Sequence, residues 1–284
     1  MAVHKIAAIK YNTTVLPATG SINPGISEFM DGPESQLYNR LVAVNRYMPV
    51  ARFTVRDVAA GLAIVGASGL QINAVPLELY SISGADGAKL ATTGQKWNMT
   101  KGIVVPSELV LQDGAFAELA YEASLGSSAG TAPYSVTAAQ TVPAVTYNAA
   151  YTQGAVTLNG SDIGPVQSTR IAFGWVIRQI FGDGKAWPLL VYGPRMQPVI
   201  TIETLSDAVA ALVDVTGTTN AISIVCQRLG TVSRAGSGDL TITCSQQLVT
   251  LDSVAGSRDG EARTIIRCTP SSDDGSEVPI TIAS

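Results

Sequence analysis

One short phrase occurs twice in this chain. Arg46-Tyr47-Met48-Pro49-Val50 returns as Arg195-Met196-Gln197-Pro198-Val199, an offset of 149 residues (195 less 46). A β-branched stretch follows each Pro-Val, Phe53 to Val55 in the first instance and Ile200 to Ile202 in the second. Then come Asp57 to Leu62 and Asp207 to Leu212, both Ala-rich and offset by 150. Farther on, Asp113-Gly114 matches Asp259-Gly260, and Pro133 matches Pro279, both at an offset of 146. Separated landmarks in one order at nearly one spacing point to a duplication, which restricts the chain to two copies of a single unit. Pro133 to Ala138 and Pro279 to Ser284 read as the last strand of each copy. The boundary then falls near Gln140 to Pro143, giving domains 1–142 and 143–284.

The local patterns predict mostly strand. Lys5 to Val15, Leu37 to Val44, Leu77 to Ile82, Ile103 to Leu111 and Phe116 to Tyr121 are rich in β-branched and apolar residues, punctuated by Gly, Pro, Asn and Asp. In the second copy Ala155 to Leu158, Ile171 to Ile180, Leu189 to Tyr192, Ile222 to Gln227, Leu240 to Cys244 and Ala262 to Cys268 take those parts. One helix per copy is predicted. From Thr54 or Arg56 to Val65, apolar Val58, Leu62 and Val65 share a helical face; Thr204 to Val213 repeats this with Leu205, Ala208, Val209 and Leu212. Thr54 and Thr204 are the expected N-caps, and Gly66 the expected stop. The fold class is therefore mostly β: two tandem copies of a β-sandwich or partly open barrel, each with one flanking α-helix.

Two segments read as long loops, Pro17 to Ser35 and Gly84 to Gly102. Loops of this length in compact domains are usually functional or disordered. The first carries Ile26, Phe29 and Met30 among turn-forming residues. These three are the candidate inter-subunit contacts, with packing back onto their own sheet as the alternative.

Charge supports contact between subunits. Only 14% of the 284 residues are charged, against about 25% in an average soluble domain, and the mean hydropathy is +0.25. A surface so poor in charge is expected to be covered, by lipid or by other subunits. No run approaches the ~18 apolar residues of a membrane helix. The first residues, Met1 to Lys5, lack the apolar core of an export signal, so synthesis and retention in the cytoplasm are expected. Obligate self-association is the remaining account. The net charge of −4 and the absence of a Lys/Arg cluster argue against a tight grip on a phosphate backbone.

Catalytic chemistry finds little support. The one histidine is His4, close to the start, and acid–base or triad chemistry usually needs a positioned histidine. Gly126-Ser127-Ser128-Ala129-Gly130 matches a nucleophile-elbow pattern, but no histidine follows it. Asp273, Asp274 and Glu277 sit among Ser and Gly, as in a polar turn. Cys226, Cys244 and Cys268 lack metal-ligand spacing and read as small buried thiols. No catalytic, cofactor-binding or metal-ligating residue, no cofactor and no membrane insertion is predicted, and the chain is not expected to be an enzyme.

The segments Pro49 to Leu62 and Pro198 to Leu212, the duplication and the Gly/Ala/Thr/Val-rich composition together resemble the tail tube proteins of long-tailed bacteriophages. The resemblance implies a β-sandwich flanked by a helix, with six such domains around a channel. In the duplicated form three chains make a pseudo-hexameric ring, and rings stack into a tube. Its partners would be copies of itself, other tail proteins at the tube ends, and double-stranded DNA passing through without specific contact. Its place would be the virion tail, and its lumen strands would be net acidic. One departure from strict repetition is expected: Trp175, Gly182 to Lys185 and Trp187 read as an insertion around 175–190 that the first copy lacks. Rival readings are a neck, connector or capsid decoration protein, and a surface- or carbohydrate-binding β-sandwich.

Overall fold

The computed structural model describes residues 3–23, 25–31, 41–73, 75–84, 93–145, 149–182, 184–206, 220–230, 238–244, 247–255, 263–272, 275 and 278–283. They are mostly β. The first half contributes β1 (Val3–Tyr11), β2 (Thr14–Asn23), β3 (Ile26–Asp31), β4 (Leu41–Tyr47), β5 (Val50–Val55), helix α1 (Val58–Val65), β6 (Leu70–Ile72), β7 (Leu77–Gly84), β8 (Thr93–Met99), β9 (Gly102–Gln112), β10 (Glu118–Leu125) and β11 (Tyr134–Thr141). The second contributes β12 (Tyr151–Leu158), β13 (Ser161–Asp162), β14 (Val166–Ala172), β15 (Trp175–Ile180), β16 (Leu190–Met196), β17 (Val199–Thr204), β18 (Ile222–Arg228), β19 (Leu240–Cys244), β20 (Gln247–Ala255), β21 (Arg263–Pro270) and β22 (Thr281–Ala283).

Strand pairing follows one scheme in both halves. In residues 3–141 the orders β11-β8-β7-β1 and β2-β5-β10-β9 are joined by the short β1–β2 pairing, with β3-β4 as a separate hairpin. In residues 151–283 they are β22-β19-β18-β12-β13 and β14-β17-β21-β20, not paired to each other, with β15-β16 as the hairpin. Irregularities recur too. The β9–β10 ladder skips Ser107 between the Ala120 and Tyr121 pairs, and the β20–β21 ladder skips Asp252 between the Ile265 and Ile266 pairs. Each hairpin is entered through a left-handed glycine, Gly25 (φ +56) and Gly174 (φ +62). Each of these glycines accepts a backbone hydrogen bond, from Met48 at 2.7 Å and from Gln197 at 3.1 Å, the residues just before Pro49 and Pro198. A Cβ at either glycine would stand about 2 Å from the carbonyl oxygen of that residue (2.1 Å and 2.0 Å), a collision that only glycine avoids.

Alternation explains the core. β5 buries Ala51, Phe53 and Val55, and its counterpart β17 buries Ile200, Ile202 and Thr204. Phe53 stacks with Tyr121 of β10 at a centroid distance of 5.2 Å. Both are essentially fully buried, and burial of one such side chain contributes about 1.5–3 kcal/mol. The inward residues of β1 and β7 (Ile6, Ile9, Leu77, Leu79) and those of β5, β9 and β10 belong to one apolar cluster, as in a sandwich.

Several elements differ from expectation. Helix α1 starts at Val58, because Thr54 pairs with Ala120 inside the sheet. Its N-cap is Asp57, whose carboxylate accepts from the Ala60 backbone N–H at 3.1 Å. It stops at Gly66, as anticipated. Thr204 likewise ends β17, Leu205 and Ser206 follow without helical structure, and residues 207–213 of the expected second helix lie outside the described residues. Pro17 to Ser35 is no loop over its described part. It forms most of β2 and all of β3, because Gly20 and Gly25 allow close strand and turn contacts where composition alone signals irregularity. Trp97, expected in a second long loop, sits on β8. Ile171 to Ile180 splits into β14 and β15 at Phe173-Gly174.

Residues 175–190, expected as an insertion, span β15 and the first residue of β16, which pair as a hairpin as β3 and β4 do. Low sequence similarity between the hairpins hides a shared place in the chain order. Among the described residues no helix is long and apolar enough to cross a membrane.

Candidate assembly interface

The residues that carry chemistry do not converge. The backbone of His4 lies on β1, paired with Ser83. The Gly126–Gly130 loop leads into β11, not a helix, and the buried Ser127 donates its backbone N–H to Pro188 at 2.8 Å. Cys226, Cys244 and Cys268 are free and buried, and burial pushes each thiol up to about 12. Asp273, Asp274 and Glu277 lie outside the described residues. Among the described residues no group of three or more His, Cys, Asp or Glu side chains is placed to hold a metal. One ion network stands out: Glu78 accepts from Tyr80 at 2.6 Å and lies 3.3 Å from Lys96 and 3.5 Å from Lys10. Burial pushes the Glu78 carboxyl up, but hydrogen bonds from Tyr80 and Lys96 and the nearby ammonium charges outweigh it and hold the group low.

The junction of the two halves is the built feature of the molecule. β9, at one end of its four-strand order, pairs antiparallel with β14 of the second half. Leu109 faces Ile171, Leu111 faces Thr169, and all four are buried. An ion pair between Arg170 and Glu108 crosses the seam on the exposed face. Backbone bonds extend it: Asp113 N–H to Gln167 at 2.8 Å, Ala117 N–H to Tyr151 at 2.7 Å, and Phe173 N–H to Ser107 at 3.0 Å. Asp57, the helix cap of the first half, also accepts from Ala149 N–H at 3.3 Å. The two halves thus share one continuous sheet, β2-β5-β10-β9-β14-β17-β21-β20.

The β15–β16 hairpin locks this seam from the side. Trp187, between its strands, stacks on Tyr47 at 4.1 Å and meets the edge of Tyr134 at 5.8 Å. Arg46 lies over Phe181, 4.7 Å from the ring centroid. Gln179 Nε2 donates to Ser124 Oγ at 2.8 Å, and Tyr47 N–H to Ala186 at 2.8 Å.

At the two ends of this eight-strand stretch stand strands of the same two kinds that meet in its middle. At one end β2 pairs with β1 only over Thr14–Pro17, so the edge of Thr19–Asn23 that corresponds to the seam edge of β14 has no strand beside it among the described residues. At the other end stands β20, the counterpart of β9. Large exposed apolar side chains gather at both ends: Ile26, Val44 and Met48 beside β2, and Leu248 and Leu251 on β20. A groove of about 610 Å³, with Pro17, Ala18, Ile82, Phe116 and Val145 in its wall, opens along β2. Of the expected contact residues, Ile26 is exposed on β3, whereas Phe29 and Met30 lie on the same strand opposite Ala43 and Val42. No family model matches this chain, and no curated protein matches it.

The outward face of the shared sheet is polar and charge-paired. Arg52 bonds Glu122 at 2.9 Å, Arg56 reaches Glu118 at 3.3 Å, Arg263 bonds Glu203 at 2.8 Å, and Arg170 pairs with Glu108. Each of these glutamates lies beside an arginine, three of the arginines on a neighbouring strand and Arg56 just past the end of β5. Pattern reading overlooked β20, which among the described residues pairs on one side only, with β21. The glycines before each hairpin, Gly25 and Gly174, were the signal that could have revealed the matched hairpins.

Proposed function

We propose that this chain is a virion structural protein of two copies of one domain, residues 1–142 and 143–284, that assembles head-to-tail into rings stacked as a tail tube. The observation that carries the proposal is the β9–β14 seam. It joins an edge of the first half to a dissimilar edge of the second, and among the described residues one edge of each kind is left open. A contact between unlike edges is heterologous, so repetition gives closed rings or open filaments. Three chains would supply six domains and cover both of these edges, β2 and β20, which is the general remedy for a liable sheet edge. The outward sheet face would line the channel. Its paired charges give a phosphate backbone little to hold, which suits a conduit for double-stranded DNA.

A single-ring neck or connector protein would use the same edges and differ only in failing to stack. The carbohydrate-binding reading has less support. Trp187, Tyr47, Tyr134 and Trp97 pack on one another between the halves and form no free aromatic platform. Negative-stain micrographs of the purified protein test the proposal: hollow tubes are expected. Single rings would favour the neck reading, and monodisperse monomers at high concentration would end both.

A further inference from the structure

The seam inside the chain is a template for the contact at its ends. The β15–β16 hairpin lies across the start of β9, where Gly193 leaves room for Trp175. A Cβ on Gly193 would stand 3.0 Å from Trp175 Cε3 and 3.7 Å from Ile103 Cδ1. Trp175, Gly193 and Ile103 therefore converge on one apolar point.

Pairing registers identify the residues that hold these places elsewhere. Ile26 pairs with Tyr47 as Trp175 pairs with Met196, and Tyr47 and Met196 both lie two residues before the landmark proline. Val44 precedes Pro49 by the same number of residues as Gly193 precedes Pro198. Leu248 pairs with Thr269 as Ile103 pairs with Ser124. The large-plus-absent pair Trp175 and Gly193 is replaced by the two medium side chains Ile26 and Val44, a swap that keeps the volume roughly constant, as tolerated cores do. Ile103 is half-buried under its hairpin, yet Ile26, Val44 and Leu248 are 51%, 44% and 51% exposed in the single chain.

We infer that the β3–β4 hairpin of one copy docks across β20 of a second copy, with Ile26 and Val44 closing over Leu248. This rests on the head-to-tail reading and adds the partner strand and the register. The occupant is a second copy because the template is this chain's own seam, and no other partner is needed to explain why these three positions are apolar and open.

Cysteines at Val44→Cys and Leu248→Cys test it in the full-length protein, since the three native thiols are buried. Mild copper-phenanthroline oxidation should give a ladder of intermolecular products on a non-reducing gel, and neither single variant should give a ladder. An independent arm uses charge. Val44→Lys and Leu248→Asp should each raise the concentration for half-assembly at least tenfold, and the double variant should recover most of that loss. Rings or tubes without a ladder and without rescue would overturn the docking and leave the ring proposal standing. A ladder and rescue in particles that are neither rings nor tubes would support the docking and overturn the ring proposal. An intramolecular disulfide, or no self-association at any concentration, would overturn the docking.

Discussion

Trp187 lies flat on Tyr47, with centroids 4.1 Å apart and planes within 10°, and the two rings come from opposite halves of the chain. The stack fastens the β15–β16 hairpin to the first half beside the β9–β14 seam. Trp187→Ala removes the stack and the edge contact with Tyr134, and should cost about 2 kcal/mol in urea unfolding. Trp187→Phe should cost less than half as much, because a flat ring remains.

Gly25 and Gly174 should respond alike to a methyl group. Both have positive φ and both face a backbone carbonyl at a distance no Cβ tolerates. Ala at either site should cost about 1–3 kcal/mol from backbone strain, plus a shift of the hairpin base. Gly114 and Gly160 also have positive φ but face nothing within 4 Å. Ala there should be milder in thermal melts. Equal losses at all four positions would show that the close approach is unimportant.

Alkaline pH should loosen the second half. Burial raises Cys226, Cys244 and Cys268 from 9.0 to about 12. Above pH 9 the unfolded chain releases these protons and the folded chain keeps them, so unfolding is favoured as pH rises. The contribution is intact below pH 9 and is lost progressively towards pH 12, at about 1.4 kcal/mol per pH unit for each thiol. Denaturant midpoints across this range check the slope, and Cys268→Ala should flatten it by about a third of the thiol share. Thiol reagents at neutral pH should label the protein only as fast as it opens.

The paired face of the shared sheet should ignore DNA until its pairs are broken. Exposed ion pairs of this kind add little stability, about 0–1 kcal/mol each. Changing Glu108, Glu118, Glu122 and Glu203 to Gln should therefore leave the fold intact and leave four arginines without their partners. The variant should retard double-stranded DNA at about 50 mM salt and release it near 200 mM, and the parent chain should do neither. Equal retardation by the parent would show that the pairing does not mask the arginines.

Much of the fold was legible in order and punctuation. Runs rich in β-branched and apolar residues marked β7, β9 and β18, since such side chains suit a half-buried pleated surface. The segment from Thr54 or Arg56 to Val65 declared a helix through its spacing, although Asp57 and not Thr54 caps it, because sheet pairing claims Thr54. The hairpins were the failure. Gly20, Pro24 and Gly25 look like loop chemistry, and nothing local reveals that the residues after them pair with Leu41–Tyr47. Ile26 could be singled out from the sequence and is exposed on β3, but nothing local pointed to β20, the strand proposed as its partner.

Local pattern and composition alone determined that this is a mostly β chain poor in charge, because strand patterns are set by near neighbours and net polarity is a sum over residues. Tertiary structure decided which edges meet, since register and seam geometry depend on residues far apart in sequence. Arg170 meets Glu108, and Trp187 meets Tyr47, only after β14 has been laid against β9. No local pattern encodes that choice, because an open strand edge offers the same backbone groups to every partner.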